Sequence, residues 1–174
     1  MRQGFVEHSG ESDSVEWYTP PNIFETLNLE FDLDPASPEN KPEYIPVKSW
    51  YSIKDNGLEK DWYGRVWLNP PYSRKEMGLW LEKFINHGNG IALVFNRSDT
   101  KWFHQWVIKS DAILFKKGRI KFLLNGKRKA FPSAPSIFLA MGEECCNAIK
   151  KFEGLYVDLK KEEISSIVKI CQKK

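Results

Sequence analysis

Apolar residues in the middle of the chain follow two different periods. Residues 64–68 and 90–95 are short apolar runs that predict strands, and the unbroken second run is typical of a strand buried on both faces. Between them lies one helical stripe, formed by Met77, Trp80, Leu81 and Phe84. The capping-box pattern of residues 73–76 predicts the start of this helix, and Gly88 predicts its end.

The alternation of strand and helix patterns continues on both sides. Residues 30–34 alternate polar and apolar positions and predict a strand that ends at Pro35. A second helix is predicted after a cap within residues 98–100, and residues 112–115 predict another strand. Strands joined by helices form crossover connections. The order therefore predicts an α/β fold with a mostly parallel central sheet and helices on both faces.

The flanking segments carry fewer signals. Residues 35–62 are rich in proline and turn formers and predict a long irregular loop, of a kind that usually has a function. The pair Asn125-Gly126 predicts a hairpin over residues 117–131 at one edge of the sheet, and residues 136–141 predict a further strand. The predicted C-terminal helix rests on a stripe of Ile164, Ile167, Val168 and Cys171.

Composition excludes several classes of protein. A chain of 174 residues with 41% hydrophobic residues fits one domain, residues 16–174, after a flexible N-terminus at residues 1–15. We expect neither a membrane span nor a signal peptide, because no apolar run is long enough for either. The formal net charge of +3 is too small to indicate a nucleic-acid partner by itself.

The cysteines and histidines argue against a metal centre. The three cysteines lack metal-ligand spacing, and the three histidines are scattered along the chain. We therefore expect reduced thiols in a metal-free, cytoplasmic protein.

The stretch VWLNPPYS, residues 66–73, raises the main question about function, because two prolines follow a predicted strand almost directly. Ligands of open α/β sheets bind beyond the carboxyl ends of the strands, where Asn69 lies. The prolines restrict the backbone and lack N–H groups, so Asn69 and Pro70 offer oxygen acceptors in a stiff arrangement. With the ring of Tyr72, this arrangement suits a planar ligand that carries an amino group. The alternative is a rigid turn in which Tyr72 only packs.

Several short motifs together resemble one family of enzymes. They are WYTPP at 17–21, FDLDPAS at 31–37, KDNGLEKDW at 54–62, NPPY at 69–72, DTKWFH at 99–104 and GRIKF at 118–122. Over roughly residues 15–141 the chain resembles the phage-type Dam family of DNA N6-adenine methyltransferases, which use S-adenosylmethionine. The resemblance implies a Rossmann-like methyltransferase fold. It also implies a catalytic set of Asn69, Pro70, Pro71 and Tyr72, whose first two residues hold the adenine amino group while the tyrosine stacks on the flipped base.

The resemblance further implies a cofactor site around the first predicted strand of the sheet. Its members are Thr19, Pro20, Asp32, Asp34, Pro35, Ala36, Ser37 and Asp55. Asp32 and Asp34 are two apart on a strand, so we expect them to share one face, with Asp34 in direct contact and Asp32 deeper. Asp55 is expected to accept from the cofactor's adenine amino group. Alternatively, Asp55 stabilises a turn and Thr19 caps a helix. The segment after this strand lacks the spaced glycines of most methyltransferases.

Basic residues cluster around the predicted hairpin. The expected DNA-binding set is Lys117, Arg119, Lys121, Lys127, Arg128 and Lys129. A basic β-ribbon can enter a groove of DNA or contact its phosphates, although charge runs are also common on solvated faces. Because the chain is short for a methyltransferase with a separate recognition domain, we expect the hairpin and residues 35–62 to read the target sequence.

The motifs leave several functions open. We favour methylation of adenine N6 in DNA by a phage or prophage enzyme in the cytoplasm of its bacterial host. Cytosine-N4, RNA and protein-glutamine methyltransferases use similar loops, and a DNA-binding module without catalysis is an alternative of another class. The target sequence, the strand state of the DNA and the oligomeric state, monomer or weak dimer, are not determined by the sequence.

Overall fold

The computed structural model describes residues 17–72, 75–124, 128–130, 132 and 134–160. The strands in this part of the chain are β1 (Trp17–Tyr18), β2 (Phe31–Asp34), β3 (Val47–Trp50), β4 (Val66–Leu68), β5 (Gly90–Phe95), β6 (Ala112–Lys116), β7 (Phe122–Leu124), β8 (Arg128–Ala130), β9 (Ser136–Met141) and β10 (Gly154–Asp158). Its helices are α1 (Pro21–Leu27), α2 (Met77–His87), α3 (Lys101–Trp106) and α4 (Glu143–Ile149), with a 3-10 helix at Val107–Lys109.

Seven strands form a central sheet in the order β10-β6-β9-β5-β4-β2-β3. The neighbours β3, β2, β4 and β5 are parallel, whereas β9 lies antiparallel between β5 and β6, and β10 is antiparallel to β6. The other three strands form a small antiparallel sheet in the order β1-β7-β8. The α/β class is confirmed. The prediction of a mostly parallel sheet holds only for the half formed by β3, β2, β4 and β5, and antiparallel pairings predominate among the described residues.

The antiparallel position of β9 has a simple physical explanation. Every residue of β9 is buried, as are nearly all residues of β5. A continuous apolar run reports that a strand is covered on both faces, but it contains no information on strand direction. The pattern therefore predicts the bounds of both strands correctly, but it does not predict their relative orientation.

Helices cover both faces of the central sheet, as predicted. Trp67, Ile91 and Leu93 pack into one core together with residues of α1 and α4. Val66 and Leu68 pack into a second core together with residues of α2 and α3. Since adjacent residues of β4 point into opposite cores, the strand is fixed in its rotation. This fixes the direction in which the loop after β4 leaves the sheet.

The helix ends follow the local chemistry only in part. α1 begins at Pro21, where proline is favoured, and is followed by Asn28 in the left-handed region at φ 49°. α2 is followed by Gly88 at φ 77°, as predicted. The alternative in which Thr19 caps α1 is wrong, because Pro20 is the capping residue and no side chain caps this helix.

A local irregularity interrupts β2 next to β4. The backbone N–H groups of Asp32 and Leu33 both point to the carbonyl oxygen of Arg65, at N···O distances of 2.7 and 3.4 Å. Two residues of β2 thus face one residue of the neighbouring segment, which is the arrangement of a β-bulge. Phe31 and Leu33 consequently lie in different cores. The expectation that Asp32 and Asp34 share one face fails here, because it assumes regular alternation.

Some elements were not indicated by the sequence pattern. β3 lies within residues 35–62, which the sequence predicts as irregular, and α4 and β10 follow β9 without a matching prediction. The predicted C-terminal helix, residues 1–15 and the residues 73–74 of the capping box lie outside the described part of the chain. No helix in the part described is long and apolar enough to cross a membrane. The same residues contain no group of three His, Cys, Asp or Glu side chains that could hold a metal ion.

Candidate active site

The loop of Asn69 to Tyr72 leaves the carboxyl end of β4, in the middle of the parallel half of the sheet. β2 and β5 flank β4 and run parallel to it, so the carboxyl ends of all three strands meet at one edge. Asp34 is the last residue of β2, and Phe95 is the last residue of β5. The candidate catalytic loop and the main candidate cofactor residue are therefore carried by neighbouring strands, where open α/β sheets bind ligands.

The carboxamide of Asn69 is oriented by two hydrogen bonds. Its Nδ2 donates to the backbone carbonyl of Trp17 over 2.8 Å, and its Oδ1 accepts from the hydroxyl of Tyr72 over 3.2 Å. The side chain is half-buried, Pro70 is buried and Pro71 is exposed. Because Nδ2 is directed to Trp17, the oxygen is the carboxamide atom that remains for a ligand.

Tyr72 is held on one side by another aromatic ring. Its ring is stacked on that of Phe95, with 3.7 Å between centroids and 8° between planes. Its hydroxyl also lies 3.5 Å from the carbonyl oxygen of Leu93, and burial raises the pKa of Tyr72 well above its usual range. The phenol is therefore a neutral hydrogen-bond donor at all physiological pH values. In this arrangement a planar ligand can stack only on the ring face opposite Phe95.

Asp34 is the most strongly perturbed carboxyl group at this edge. Its side chain is 3% exposed, and its Oδ1 accepts a hydrogen bond from the backbone N–H of Ala36 over 3.0 Å. Burial raises the pKa of Asp34 to about 7, against the opposing effects of Ala36 N–H, the nearby Ser37 hydroxyl and Lys41. Desolvation thus prevails over the charge-stabilising contacts. A ligand that donates further hydrogen bonds to this carboxylate would reverse that balance.

Two buried hydroxyl groups in the predicted cofactor segments are not fully hydrogen-bonded. Thr19 and Ser37 are 2% and 5% exposed. The Thr19 hydroxyl has no partner within the described structure, and the Ser37 hydroxyl lies near Asp34 without a well-formed hydrogen bond. Buried hydroxyl groups are normally paired, since leaving one unpaired costs about 1–3 kcal/mol. Unpaired hydroxyls at a ligand-binding edge are expected where a ligand completes the hydrogen bonding.

Asp32 and Asp55 already have protein partners. Asp32 accepts from Lys48 Nζ and from the backbone N–H of Arg65, both over 2.8 Å, and these contacts lower its pKa. Asp55 Oδ2 accepts from the backbone N–H and the hydroxyl of Ser52, over 2.8 and 2.9 Å. The turn-stabilising contact considered for Asp55 is thus present. Its Oδ1 does not take part in these two bonds.

The loop with Asp55 packs directly on the segment after β2. A Cβ atom at Gly57 would lie 1.9 Å from the carbonyl oxygen of Pro35, so only glycine permits this approach. Trp62 Nε1 donates to the carbonyl of Gly57 over 2.8 Å and fixes the far side of the loop. Asp34 and Asp55, which are distant in sequence, therefore belong to adjoining segments.

The basic hairpin is present, but it belongs to the small sheet. β7 and β8 pair antiparallel, and β7 also pairs with β1. Lys117 forms an ion pair with Glu153, and Arg119 Nη1 donates to the carbonyl of Pro132 over 2.9 Å. Both of these side chains and Lys121 are exposed. Lys127 and the side chains of Arg128 and Lys129 lie outside what the structure describes.

Two contacts of the site were missed at the sequence level. The carbonyl of Trp17 is a backbone group that every residue has, so the residue type at this position cannot indicate its contact with Asn69. Phe95 completes the apolar run of β5 and reads as an ordinary core residue. Only the end position of Phe95 on a strand beside β4 could have indicated its contact with the catalytic loop.

Two comparisons with known proteins bear on the family of this chain. Residues 8–150 match the family DNA N-6-adenine-methyltransferase (Dam). A protein of Escherichia phage T1 named DNA N-6-adenine-methyltransferase is 36% identical over 98 residues. That match covers 50% of this chain and 38% of the phage protein, so the chain spans well under two thirds of its relative. The family match extends over most of the chain and includes the whole candidate site, and the chain belongs to the DNA N-6-adenine-methyltransferase (Dam) family.

Proposed function

We propose that the protein transfers a methyl group from S-adenosylmethionine to N6 of an adenine in DNA. The observation that carries the proposal is the arrangement of Asn69 and Tyr72, in which a carboxamide oxygen is oriented beside an immobilised aromatic ring. Membership of the Dam family and the similarity to the phage T1 protein support adenine as the base that is modified.

The target amino group needs acceptors because its lone pair is delocalised into the adenine ring. Asn69 Oδ1 and the carbonyl oxygen of Pro70 each accept one amino hydrogen, which favours a pyramidal nitrogen and stabilises the positive charge that develops there. Oδ1 has two lone pairs, so it can keep the bond from Tyr72 while it accepts from the base. When bound, S-adenosylmethionine supplies an electrophilic methyl group on a sulfonium. The C–S bond of the sulfonium would break as the N–C bond forms, which would leave a neutral thioether, and the methylated nitrogen would then release its acidic proton to solvent. The chain's own groups orient the amine and need no nucleophilic side chain.

The buried polar groups at the sheet edge fit this cofactor. Thr19 carries an unpaired hydroxyl group, the Ser37 hydroxyl has only a weak contact with Asp34, and the Asp34 carboxyl group is largely desolvated. Hydroxyl and ammonium groups of S-adenosylmethionine would satisfy all three. We assign the remaining contacts to the same segments: Pro20, Pro35 and Ala36.

The two aspartates with protein partners take different parts in the proposal. Asp32 contributes indirectly, by holding the backbone of Arg65 at the start of β4. Asp55 Oδ1 accepts from the adenine amino group of the cofactor, because the contacts with Ser52 use only Oδ2.

DNA must present the target base outside the helix. Flipping a base out of duplex DNA costs a few kcal/mol, and stacking on an aromatic side chain returns about 1–3 kcal/mol. We assign the stacking to the face of Tyr72 that does not contact Phe95. Phosphate contacts from the hairpin set, Lys117 to Lys129, supply further affinity. Of this set, Lys117 must give up part of its contact with Glu153 to contribute.

Two measurements together test the proposal against a DNA-binding module without catalysis. Isothermal titration calorimetry with S-adenosylmethionine, with and without DNA, should show saturable binding at one site. Incubation with tritiated S-adenosylmethionine and unmethylated plasmid should place label in the DNA. Binding of DNA without any binding of S-adenosylmethionine or transfer of label would identify the module instead.

A further inference from the structure

Four aromatic side chains connect the small sheet to the catalytic loop. Trp17 contacts Phe122 edge to face, with 6.0 Å between ring centroids and 84° between planes. Phe122 contacts Phe95 in the same manner, at 6.5 Å and 85°. Phe95 is stacked on Tyr72. The two edge-to-face contacts have geometries that aromatic pairs prefer, whereas Tyr72 and Phe95 are pressed almost face to face.

Two hydrogen bonds connect the two ends of this series, so that the contacts form a closed circuit. Tyr72 donates to Asn69, and Asn69 donates to the backbone carbonyl of Trp17, where the aromatic series begins. We call these five residues, Trp17, Asn69, Tyr72, Phe95 and Phe122, the aromatic ring cluster. Its members come from four segments that lie far apart in the sequence.

The aromatic ring cluster joins three parts of the fold. Trp17 belongs to β1 and Phe122 to β7, which are paired in the small sheet that also carries the basic hairpin. Phe95 ends β5 of the central sheet, and the other two residues lie in the loop after β4. Among the aromatic pairs of the described residues, only those of this cluster connect the proposed catalytic loop to the small sheet, which carries the proposed DNA-binding hairpin.

Burial makes the cluster stiff at its centre. Phe122 is 0% exposed, and both Trp17 and Phe95 pack against the same core as Phe122. A flat ring behind Tyr72 fixes both the position and the tilt of its phenol, whereas an aliphatic side chain of similar volume fixes only the position. Tyr72 in turn determines where Asn69 Oδ1 lies.

We propose that Phe95 and Phe122 are positioning residues, which hold Tyr72 and Asn69 in the geometry needed for methyl transfer and link that geometry to the small sheet. The inference rests on the proposed function, and it assigns a role to two residues outside the catalytic loop. Catalytic geometry is sensitive to small displacements, since a shift of about 1 Å can cost roughly a hundredfold in rate. The effect should therefore appear in kcat rather than in cofactor binding.

The first test compares three single variants in methyl transfer to unmethylated plasmid DNA. Phe95→Leu should lower kcat by about tenfold or more, while the Kd for S-adenosylmethionine and the KM for DNA stay within about threefold. Phe95→Tyr keeps a stacked ring and should recover most of the wild-type kcat. The matched control is Phe152→Leu, because Phe152 is also partly buried, stacked on a phenylalanine and packed on the same core, yet outside the cluster. Its kcat should stay near wild type.

The second test asks whether the contacts act as one series. Phe122→Leu and Trp17→Leu each break the series, and the latter keeps the backbone carbonyl that accepts from Asn69. Each variant should lower kcat. When either is combined with Phe95→Leu, the loss of kcat should be little larger than that of the more damaging single variant, because the effects of residues in one network are not additive. Thermal melting of every variant identifies losses that come from unfolding, and Trp17→Leu serves if Phe122→Leu does not fold.

Three results would overturn the inference. A kcat for Phe95→Leu equal to that of Phe152→Leu, in an active wild-type background, would remove the positioning role alone. Full additivity of the double variants would show that the residues act independently. An inactive wild-type protein would remove the proposed function and this inference together, so the two failures are distinguishable.

Discussion

The hydroxyl of Tyr72 donates a hydrogen bond to Oδ1 of Asn69 over 3.2 Å, and so the two functional side chains of the NPPY loop contact each other directly. Tyr72 therefore has two separable contributions in the proposed function. Its ring offers a stacking surface, and its hydroxyl orients the acceptor. Substitutions can remove the second contribution without the first.

Tyr72→Phe should retain the stack with Phe95 and lose only the bond to Asn69. A neutral hydrogen bond contributes about 0.5–1.5 kcal/mol, so kcat should fall by roughly two- to tenfold. Tyr72→Ala removes the ring as well and should lower kcat further, by another factor of about ten or more. Methyl transfer under single-turnover conditions measures both effects. Equal activities of the two variants would show that the ring takes no part in catalysis.

If Asp34 binds the cofactor as proposed, the affinity for S-adenosylmethionine should depend on pH. The carboxylate form accepts from the cofactor, and with its pKa near 7 the group is largely protonated below that pH. Affinity should therefore rise with pH up to about 7 and level off above it, with at most a tenfold change per pH unit. Asp34→Asn should bind S-adenosylmethionine more weakly than wild type at pH 8, and its affinity should not show this rise with pH.

The control for this prediction is the ratio between the Kd values of wild type and Asp34→Asn for S-adenosylmethionine, measured at each pH between 6 and 8. The cofactor's own titration affects both proteins alike and cancels in the ratio. Calorimetry or equilibrium dialysis measures both constants. A ratio that does not change with pH would show that Asp34 does not face the cofactor.

The same carboxyl group should affect stability without ligand, with a definite sign. Its pKa is raised in the folded protein, from 3.8 to about 7, so the folded state binds the proton more tightly than the unfolded state. This group's contribution to stability is therefore greatest below pH 4 and decreases as the pH rises to about 7. Asp34→Asn, whose side-chain oxygen can still accept from Ala36, should raise the free energy of unfolding at pH 8 by up to a few kcal/mol. Urea unfolding at pH 5 and pH 8 measures the difference, and an equal effect at both values would argue against a raised pKa.

The basic hairpin should determine the salt dependence of DNA binding. If Lys127, Arg128 and Lys129 contact phosphates, replacing all three by alanine should flatten the plot of log Kd against log salt by roughly two to three units. The control replaces Lys150, Lys151 and Lys160, which are exposed and follow β9, and changes the net charge equally. Fluorescence anisotropy titrations at several salt concentrations give both slopes. An identical slope in wild type and the hairpin variant would make the cluster an ordinary solvated surface.

Arg119 is held in place, because its guanidinium donates to the carbonyl of Pro132. Arg119→Ala should therefore change turnover or sequence preference as well as affinity. Sequencing of methylated DNA from cells that express the variant reports the preference. An effect limited to the salt slope would place Arg119 with the phosphate contacts.

Burial was predictable from the sequence, and strand direction was not. The bounds of β5 and β9 follow directly from unbroken apolar runs, and the end of α2 follows from Gly88. The same runs cannot show that β9 enters the sheet antiparallel, because direction depends on connections that the pattern does not contain. β3 was missed since Val47 to Trp50 is short and half-exposed, as edge strands often are.

The site was predictable in its residues but not in its contacts. The position of Asn69 after a strand indicates a ligand-binding loop, and the structure places it directly after β4, which neighbours the strand that ends at Asp34. The bulge opposite Arg65, which separates the surroundings of Asp32 and Asp34, is a backbone feature without a residue signature. The bond from Asn69 to the Trp17 carbonyl joins residues 52 positions apart and likewise depends on the tertiary fold.

The most direct test of the central claim is nucleoside mass spectrometry of unmethylated plasmid DNA after incubation with S-adenosylmethionine and either wild type or Asn69→Ala. The wild-type protein should produce N6-methyladenine. Asn69→Ala should give a yield lower by about a hundredfold or more, since a preorganised acceptor for the developing charge is lost. The Kd for S-adenosylmethionine should stay within a few fold, because the proposed partner of this side chain is the target base and not the cofactor. N4-methylcytosine without N6-methyladenine, or undiminished methylation by Asn69→Ala, would contradict the account.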